Sequence, residues 1–428
     1  MPLIKEHGRQ YDLVVFGATE DKSDRPQGYT GKWTAEYITT HLATDLKWAV
    51  AGRSESKLQA VVDDCKKRNP DRLAPGIEIA SLNNKDLGAL AKKTCVLITS
   101  VGPYCFYGEH AFKACAEAGT HYVDVTGEVV WTRKMIQKYE ATAKENGAIM
   151  IPQAGIESAP PDLGTWAMAK AIRTELGTQT KNATVSLHKI NSTPSGGTLA
   201  TALNLFDVFS PKEVREACSP YALSPIPHNE PTRHKTSILE KIFGVRTVPN
   251  LGLLTTSPMG STDIPIVERT WGLLSETPSR KDEFYGPNFT CSEKMKARNW
   301  LHGIFMHWLL IVGALLLVSP LRTLLKKRVF QPGEGAPREA TEKEELEYRG
   351  VAYPDSEKAA GKIAYCRLWH LGGMYYLTGM LLAETAATIL EDDVQLGGGV
   401  YTPACLGQGL IDRLDSSGFK MDVKIIDA

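Results

Sequence analysis

Asp12-Leu13-Val14-Val15-Phe16-Gly17-Ala18-Thr19, resuming after Glu20 to Gln27 as Gly28-Tyr29-Thr30-Gly31, is the stretch that decides the fold. An apolar run that stops at a glycine and restarts at a glycine pair reads as a buried strand, a tight turn and the start of a helix. With Glu20 to Gln27 set aside as an insertion, the glycines fall as G-x-x-G-x-x-G. Residues without a Cβ let backbone N–H groups approach a pyrophosphate at the positive end of a helix. A dinucleotide is therefore the first hypothesis, with Gly17, Ala18, Thr19, Gly28, Tyr29, Thr30 and Gly31 on its phosphate side. Ordinary turns are the competing use of the same glycines. The insertion is polar and contains Pro26, so it is expected to be a solvent-facing loop.

The next apolar run, Lys47 to Gly52, reads as a second buried strand and ends in Gly52-Arg53-Ser54. In a dinucleotide fold the tip of this strand meets the adenosine ribose, and an NAD site usually carries an acid there. Arg53 and Ser54, with Lys57 one turn on, suit a ribose 2′-phosphate and hence NADP. The plain alternative is a Ser54 helix cap with solvated basic neighbours.

Composition bounds the rest. The 428 residues exceed the usual size of one core, so at least two domains are expected. Lys+Arg 49 balances Asp+Glu 49, which argues against a nucleic-acid surface. The eight cysteines stand singly with no C-x-x-C pair, so neither a zinc site nor a disulfide framework is indicated. The N-terminus lacks the pattern of a secretory signal, which points to reducing cytosol and to unused sequons at Asn182, Asn191 and Asn288.

Onward from Gly31, short β-rich runs alternate with helical patterns: helices after Gly31 and over Lys57 to Arg68, strands at Ile77 to Ala80, Cys95 to Ser100, His121 to Val125 and Ala148 to Ile151, with a helix over Thr132 to Asn146. This alternation predicts an α/β fold with a Rossmann-type doubly wound parallel sheet over residues 1–155. Ligands sit beyond the carboxyl ends of such strands, which sets Gly17, Arg53, Gly102 and Thr126 on one rim. Ser100, Gly102 and Pro103 join the cofactor-binding candidates there. Alternation is lost past Gly155, and a second, α+β domain is expected over 156–390, followed by a C-terminal segment 391–428. Ala183 to Lys189 and Ile264 to Trp271 read as strands, Thr198 to Phe209 and Tyr375 to Leu390 as helices, and Gln331 to Glu345 as an exposed linker.

Taken together, Gly17-Ala18-Thr19 with Gly28-Tyr29-Thr30-Gly31, Ala51-Gly52-Arg53, Gly102-Pro103-Tyr104, Tyr122-Val123-Asp124 to Gly127-Glu128, Gly155-Ile156-Glu157-Ser158, Pro161-Asp162-Leu163-Gly164, Ser195-Gly196-Gly197-Thr198 and Gly398 to Ala404 resemble the saccharopine dehydrogenase-like oxidoreductases. The resemblance spans nearly the whole chain. It implies a Rossmann domain, a second α+β domain that shapes a substrate pocket, and a C-terminal helix that returns to the first domain. It also implies a branch that includes trans-acting enoyl reductases of lipid and polyketide pathways and animal members found on lipid droplets. The chain departs from the family pattern in the insertion and in Glu157, which stands where Asp is usual.

No Tyr is followed four residues later by Lys, so the acid pair of short-chain dehydrogenases is absent. Hydride transfer needs alignment and a donor where charge develops. Tyr104 and Tyr107 are candidate donors, with aromatic packing as the alternative; Glu128 and Glu157 are candidate proton donors if burial raises their pKa, with helix capping or ion pairing as the alternative. The expected activity is NADPH-dependent reduction of a carbon–carbon double bond in a hydrophobic lipid or polyketide-like molecule. The alternatives are an imine or amino-acid oxidoreductase and a catalytically silent membrane-associated protein. Residues 300–325 hold an apolar run, Ile304 to Val318, followed by Arg322, Lys326, Lys327 and Arg328. It is expected to rest on a membrane or lipid-droplet surface on the cytosolic side, with a spanning helix and a buried or homodimer-interface helix, in a cytoplasmic protein, as the other readings.

Overall fold

The computed structural model describes residues 4–18, 29–191, 203–229, 236–319 and 341–428. Glu20 to Gln27, the Ser195 to Thr198 motif, residues 320–325 of the apolar segment and the Gln331 to Ala340 part of the linker lie outside the described residues.

The opening apolar run is β1 (Tyr11–Phe16), an inner strand of a seven-stranded sheet whose other first-domain strands are β2 (Trp48–Gly52), β3 (Gly76–Ile79), β4 (Thr94–Thr99), β5 (His121–Asp124) and β6 (Ile149–Ile151). Their order is β6-β5-β4-β1-β2-β3, and every pair is parallel. Leu13 and Val15 face one core while Val14 and Phe16 face another. Helices cover both faces, which is why β1 reads as an unbroken apolar run rather than an alternating one. This is the doubly wound sheet expected from the β-α alternation.

Helix Ala159–Leu176 opens the second domain, whose sheet contains β7 (Thr180–Ile190), β8 (Arg246–Val248), β9 (Gly252–Thr256), β10 (Thr290–Lys296), β11 (Glu345–Pro354) and β12 (Lys362–Leu371). The order is β12-β11-β7-β10-β9-β8, with β7 and β10 parallel and the other neighbours antiparallel. Ile264 to Trp271 is no strand but the middle of helix Gly260–Glu276. Its β-branched residues lower helix propensity by less than about 1 kcal/mol each, while burying Ile264, Ile266, Val267 and Trp271 contributes about 1.5–3 kcal/mol apiece.

Helix Met374–Glu391 then crosses back onto helix Tyr29–His41. Gly379 permits this crossing, because a Cβ there would lie 2.9 Å from the backbone of Trp33 and Thr34. Tyr37 closes it by donating to Glu384 Oε1 at 2.6 Å. The return to the first domain thus starts ahead of the 391–428 segment, which itself serves both sheets: β13 (Gly399–Val400) pairs with β6 and β14 (Lys420–Asp427) with β12. Buried Asp162 ties the same regions, accepting from Thr270 Oγ1 at 2.5 Å and from the Ala404 N–H at 2.9 Å.

Candidate functional site

β1, β2 and β4 are parallel neighbours, so the residues that follow them share one edge. Gly17 ends β1 with φ +96° and donates its N–H to Ala51 O at 3.1 Å. A Cβ on Gly17 would meet the Val101 side chain at 2.6 Å, and one on Gly31 would run into the Gly17 carbonyl, Ser100 Oγ and Ala18 Cα. Ser100 Oγ also donates to Gly17 O at 3.2 Å. Gly17, Ala18, Gly31 and Ser100 therefore close on one another, holding the start of helix Tyr29–His41 against the end of β1. The first-turn N–H groups of a helix lack intrahelical acceptors and carry partial positive charge, so Tyr29, Thr30 and Gly31 present an anion-binding end. Thr19 and Gly28 lie outside the described residues.

Arg53 is exposed beyond β2, and Ser54 takes the N-cap position of helix Glu55–Arg68 without a side-chain cap bond. Its hydroxyl instead lies 3.3 Å from Ser56 Oγ. These residues could hold NADP: a glycine cradle that a Cβ would fill, a helix terminus, and a basic tip on the neighbouring strand.

The turn after β4 is built differently from its sequence reading. Tyr104 is buried; its hydroxyl donates to Thr99 O at 2.9 Å and accepts from the Val125 N–H at 3.3 Å, and its ring packs on Trp131. Its one hydroxyl hydrogen is committed to the protein, so Tyr104 is a structural residue. Glu128 is buried beneath the same turn, accepting from the Tyr104 and Cys105 N–H groups at 2.7 and 2.8 Å. It caps the short helix Tyr104–Tyr107 and fixes the turn that carries Gly102 and Pro103. Burial lifts its pKa to about 7 despite those donors. Tyr107 is half-buried with its ring beside Phe106.

Across the edge stands a carboxyl group set that the motifs did not announce. Asp263, in the first turn of helix Gly260–Glu276, and Glu293, on β10, are both buried. Ser257 Oγ donates to Glu293 Oε1 at 2.6 Å and Thr262 Oγ1 to Asp263 Oδ1 at 3.0 Å. Asp263 Oδ2 and Glu293 Oε2 receive no donor from the described groups, and the two side chains interact. Burial, and then the Glu293 charge, raise Asp263 far above the carboxylate range; burial raises Glu293 as well. Burial and mutual repulsion favour the protonated form in such a pair. Glu157, half-buried after β6, adds its charge to Asp263, and its Oε2 occupies the space a Cβ on Gly127 would need. The trio thus reaches from the second domain to the loop after β5. The available signal was the acid directly before the apolar run, Asp263, and the strand reading of Ile264 to Trp271 hid the helix whose first turn carries it. A cavity of about 460 Å³ at the other end of helix Ala159–Leu176, lined by Arg173, Gln179, Lys281 and Tyr285, shares none of these residues.

Comparison with known proteins identifies the family. The saccharopine dehydrogenase NADP binding domain family matches residues 27–151. A saccharopine dehydrogenase-like oxidoreductase of Rattus norvegicus is 30% identical over 97% of this chain and 97% of its own. A trans-acting enoyl reductase of Mycobacterium bovis is 27% identical over 96% of this chain and 97% of its own. A lipid droplet localized protein of Caenorhabditis elegans is 35% identical over 44% of this chain and 42% of its own.

Proposed function

This chain belongs to the saccharopine dehydrogenase-like oxidoreductases and is an NADP-dependent enzyme, and from that premise we propose that it reduces a carbon–carbon double bond conjugated to a carbonyl in a hydrophobic, lipid or polyketide-like substrate. Gly17, Ala18, Tyr29, Thr30 and Gly31 would hold the pyrophosphate, Arg53 and Ser54 the 2′-phosphate, and Ser100, Gly102 and Pro103 the path towards the reacting end. When bound, NADPH supplies the hydride. The chain's own part is to orient the acceptor, exclude water and keep a proton ready for the α-carbon.

One observation carries the reading: Asp263 and Glu293 are buried carboxyls beside one another, burial favours their protonated forms, and Glu157 reaches the loop after β5. Among the described residues their main electrostatic neighbours are carboxyls and hydroxyls, which do not suit a substrate carboxylate. The mycobacterial relative's name supports the same chemistry. The carboxyls also favour a second reading, reduction of a carbon–nitrogen double bond, because a cationic imine suits an acidic pocket. NADPH deuterated at the transferred position separates the two. Label on the β-carbon of an α,β-unsaturated ketone or thioester is the expected result, and label only on an amine or carbinol carbon refutes the enoyl reading.

The substrate's greasiness fits association with a membrane or lipid-droplet surface through helix Trp300–Val318. That helix is long enough to cross a bilayer, with mean hydropathy 2.1 and 11% of it buried. The nematode relative's name supports a lipid-droplet surface.

A further inference from the structure

Among the described residues, helix Trp300–Val318 is rooted at one end only. Gly303 and His307 are its buried residues. Thr255 Oγ1 donates to Gly303 O at 2.7 Å, and Thr256 Oγ1 lies 2.7 Å from His307 Nδ1, so both anchors belong to β9. From Trp308 to Val318 no residue is buried, and Leu309, Val312 and Leu315 are 50%, 50% and 66% exposed. At 1.5 Å per residue these eleven residues project about 16 Å from the root. Beside the root, helix Ile238–Phe243 ends at Gly244 against His307. It too presents apolar side chains to solvent, with Ile238 76% and Leu239 67% exposed.

The sheet decides what this peg can do in lipid. β9 and β10 precede it, β11 follows it, and β11 pairs with β7 from Leu346 to Pro354. The two flanks of the peg are thus strands of one sheet and lie on one side of any membrane. A single span would put β11 across the bilayer from its hydrogen-bonding partner. A second span would have to come from residues 319–340, where Arg322, Lys326, Lys327, Arg328, Glu334, Arg338 and Glu339 make insertion unfavourable. The projecting length of about 16 Å matches half of a hydrocarbon core about 30 Å thick.

We propose that Trp308–Val318 inserts into a single phospholipid leaflet while Ile238–Phe243 lies in the headgroup boundary beside its root, so that a monolayer over an oil core accepts the protein as readily as a bilayer does. The proposal rests on the lipid-surface part of the functional reading and specifies its geometry. The peg is apolar all round its projecting end, which suits acyl chains on every side rather than a one-sided protein groove.

The test is flotation of the full-length protein with phosphatidylcholine vesicles and with triolein emulsions coated by the same lipid, with NADPH titration as the fold control. Comparable binding to both surfaces is expected. Changing Leu309, Val312 and Leu315 to Ser should lower partitioning about a hundredfold, and changing Ile238, Leu239 and Ile242 to Ser about tenfold, on both surfaces. Binding to vesicles but not to emulsions overturns the single-leaflet geometry and leaves lipid association standing. Unchanged partitioning of the Ile238, Leu239 and Ile242 variant overturns the second footing. A protein that binds neither surface and forms a defined dimer by light scattering overturns lipid association itself.

Discussion

Gly31→Ala asks whether the glycine cradle is the cofactor site. A Cβ on Gly31 would meet Ser100 Oγ at 2.7 Å and Ala18 Cα at 2.9 Å, and would press still harder on the Gly17 carbonyl. Two of those three atoms are backbone, so rotating a side chain cannot relieve the clash. The start of helix Tyr29–His41 must back away from β1 by several tenths of an ångström, at an overpacking cost of about 1–3 kcal/mol. The shift also draws the Tyr29, Thr30 and Gly31 N–H groups off the phosphates. Losing one charge-assisted hydrogen bond is worth about 1.5–3 kcal/mol, so NADPH should bind about tenfold to a hundredfold more weakly. Gly88→Ala is the matched control: Gly88 also lies inside a helix, Asn84–Lys93, but a Cβ there meets nothing within 4 Å. That change should stabilise the protein by up to about 1 kcal/mol and leave NADPH affinity alone. The assay is NADPH fluorescence titration of both variants beside urea denaturation. A folded Gly31→Ala protein that binds NADPH as tightly as the parent refutes the placement of the pyrophosphate.

Arg53→Ala should remove most of a preference for NADPH over NADH, a change of about tenfold to a hundredfold measured by paired titrations; equal binding of both cofactors by the parent protein contradicts the 2′-phosphate assignment. Glu293 titrates at about 7 in the folded protein against 4.5 ordinarily, so between those values the native state holds a proton that the unfolded chain has lost. Stability should therefore fall as pH rises through that window. Glu293→Gln, which keeps the Ser257 bond, should remove this slope and gain about 1–3 kcal/mol at pH 8.5 in urea denaturation while slowing turnover; a variant that is less stable at pH 8.5 than the parent refutes the raised Glu293 pKa.

Local pattern alone determined the first domain of this protein. The apolar run at β1, the glycines on either side of the insertion and the basic tip at Arg53 each act within a few residues, through backbone freedom, two-sided burial and charge. Such constraints survive without knowledge of what lies opposite. Tertiary structure decided the chemistry of the site. Tyr104 looked like a donor until its hydroxyl was placed on Thr99 O, and Glu128 like an acid until its oxygens were seen to hold the Tyr104 and Cys105 N–H groups. Asp263 and Glu293 come from a helix and a strand separated along the chain, and only packing makes them neighbours. Ile264 to Trp271 shows the reason most plainly: its β-branched residues state a weak preference for strand, and tertiary burial, a term no local window contains, outweighs it.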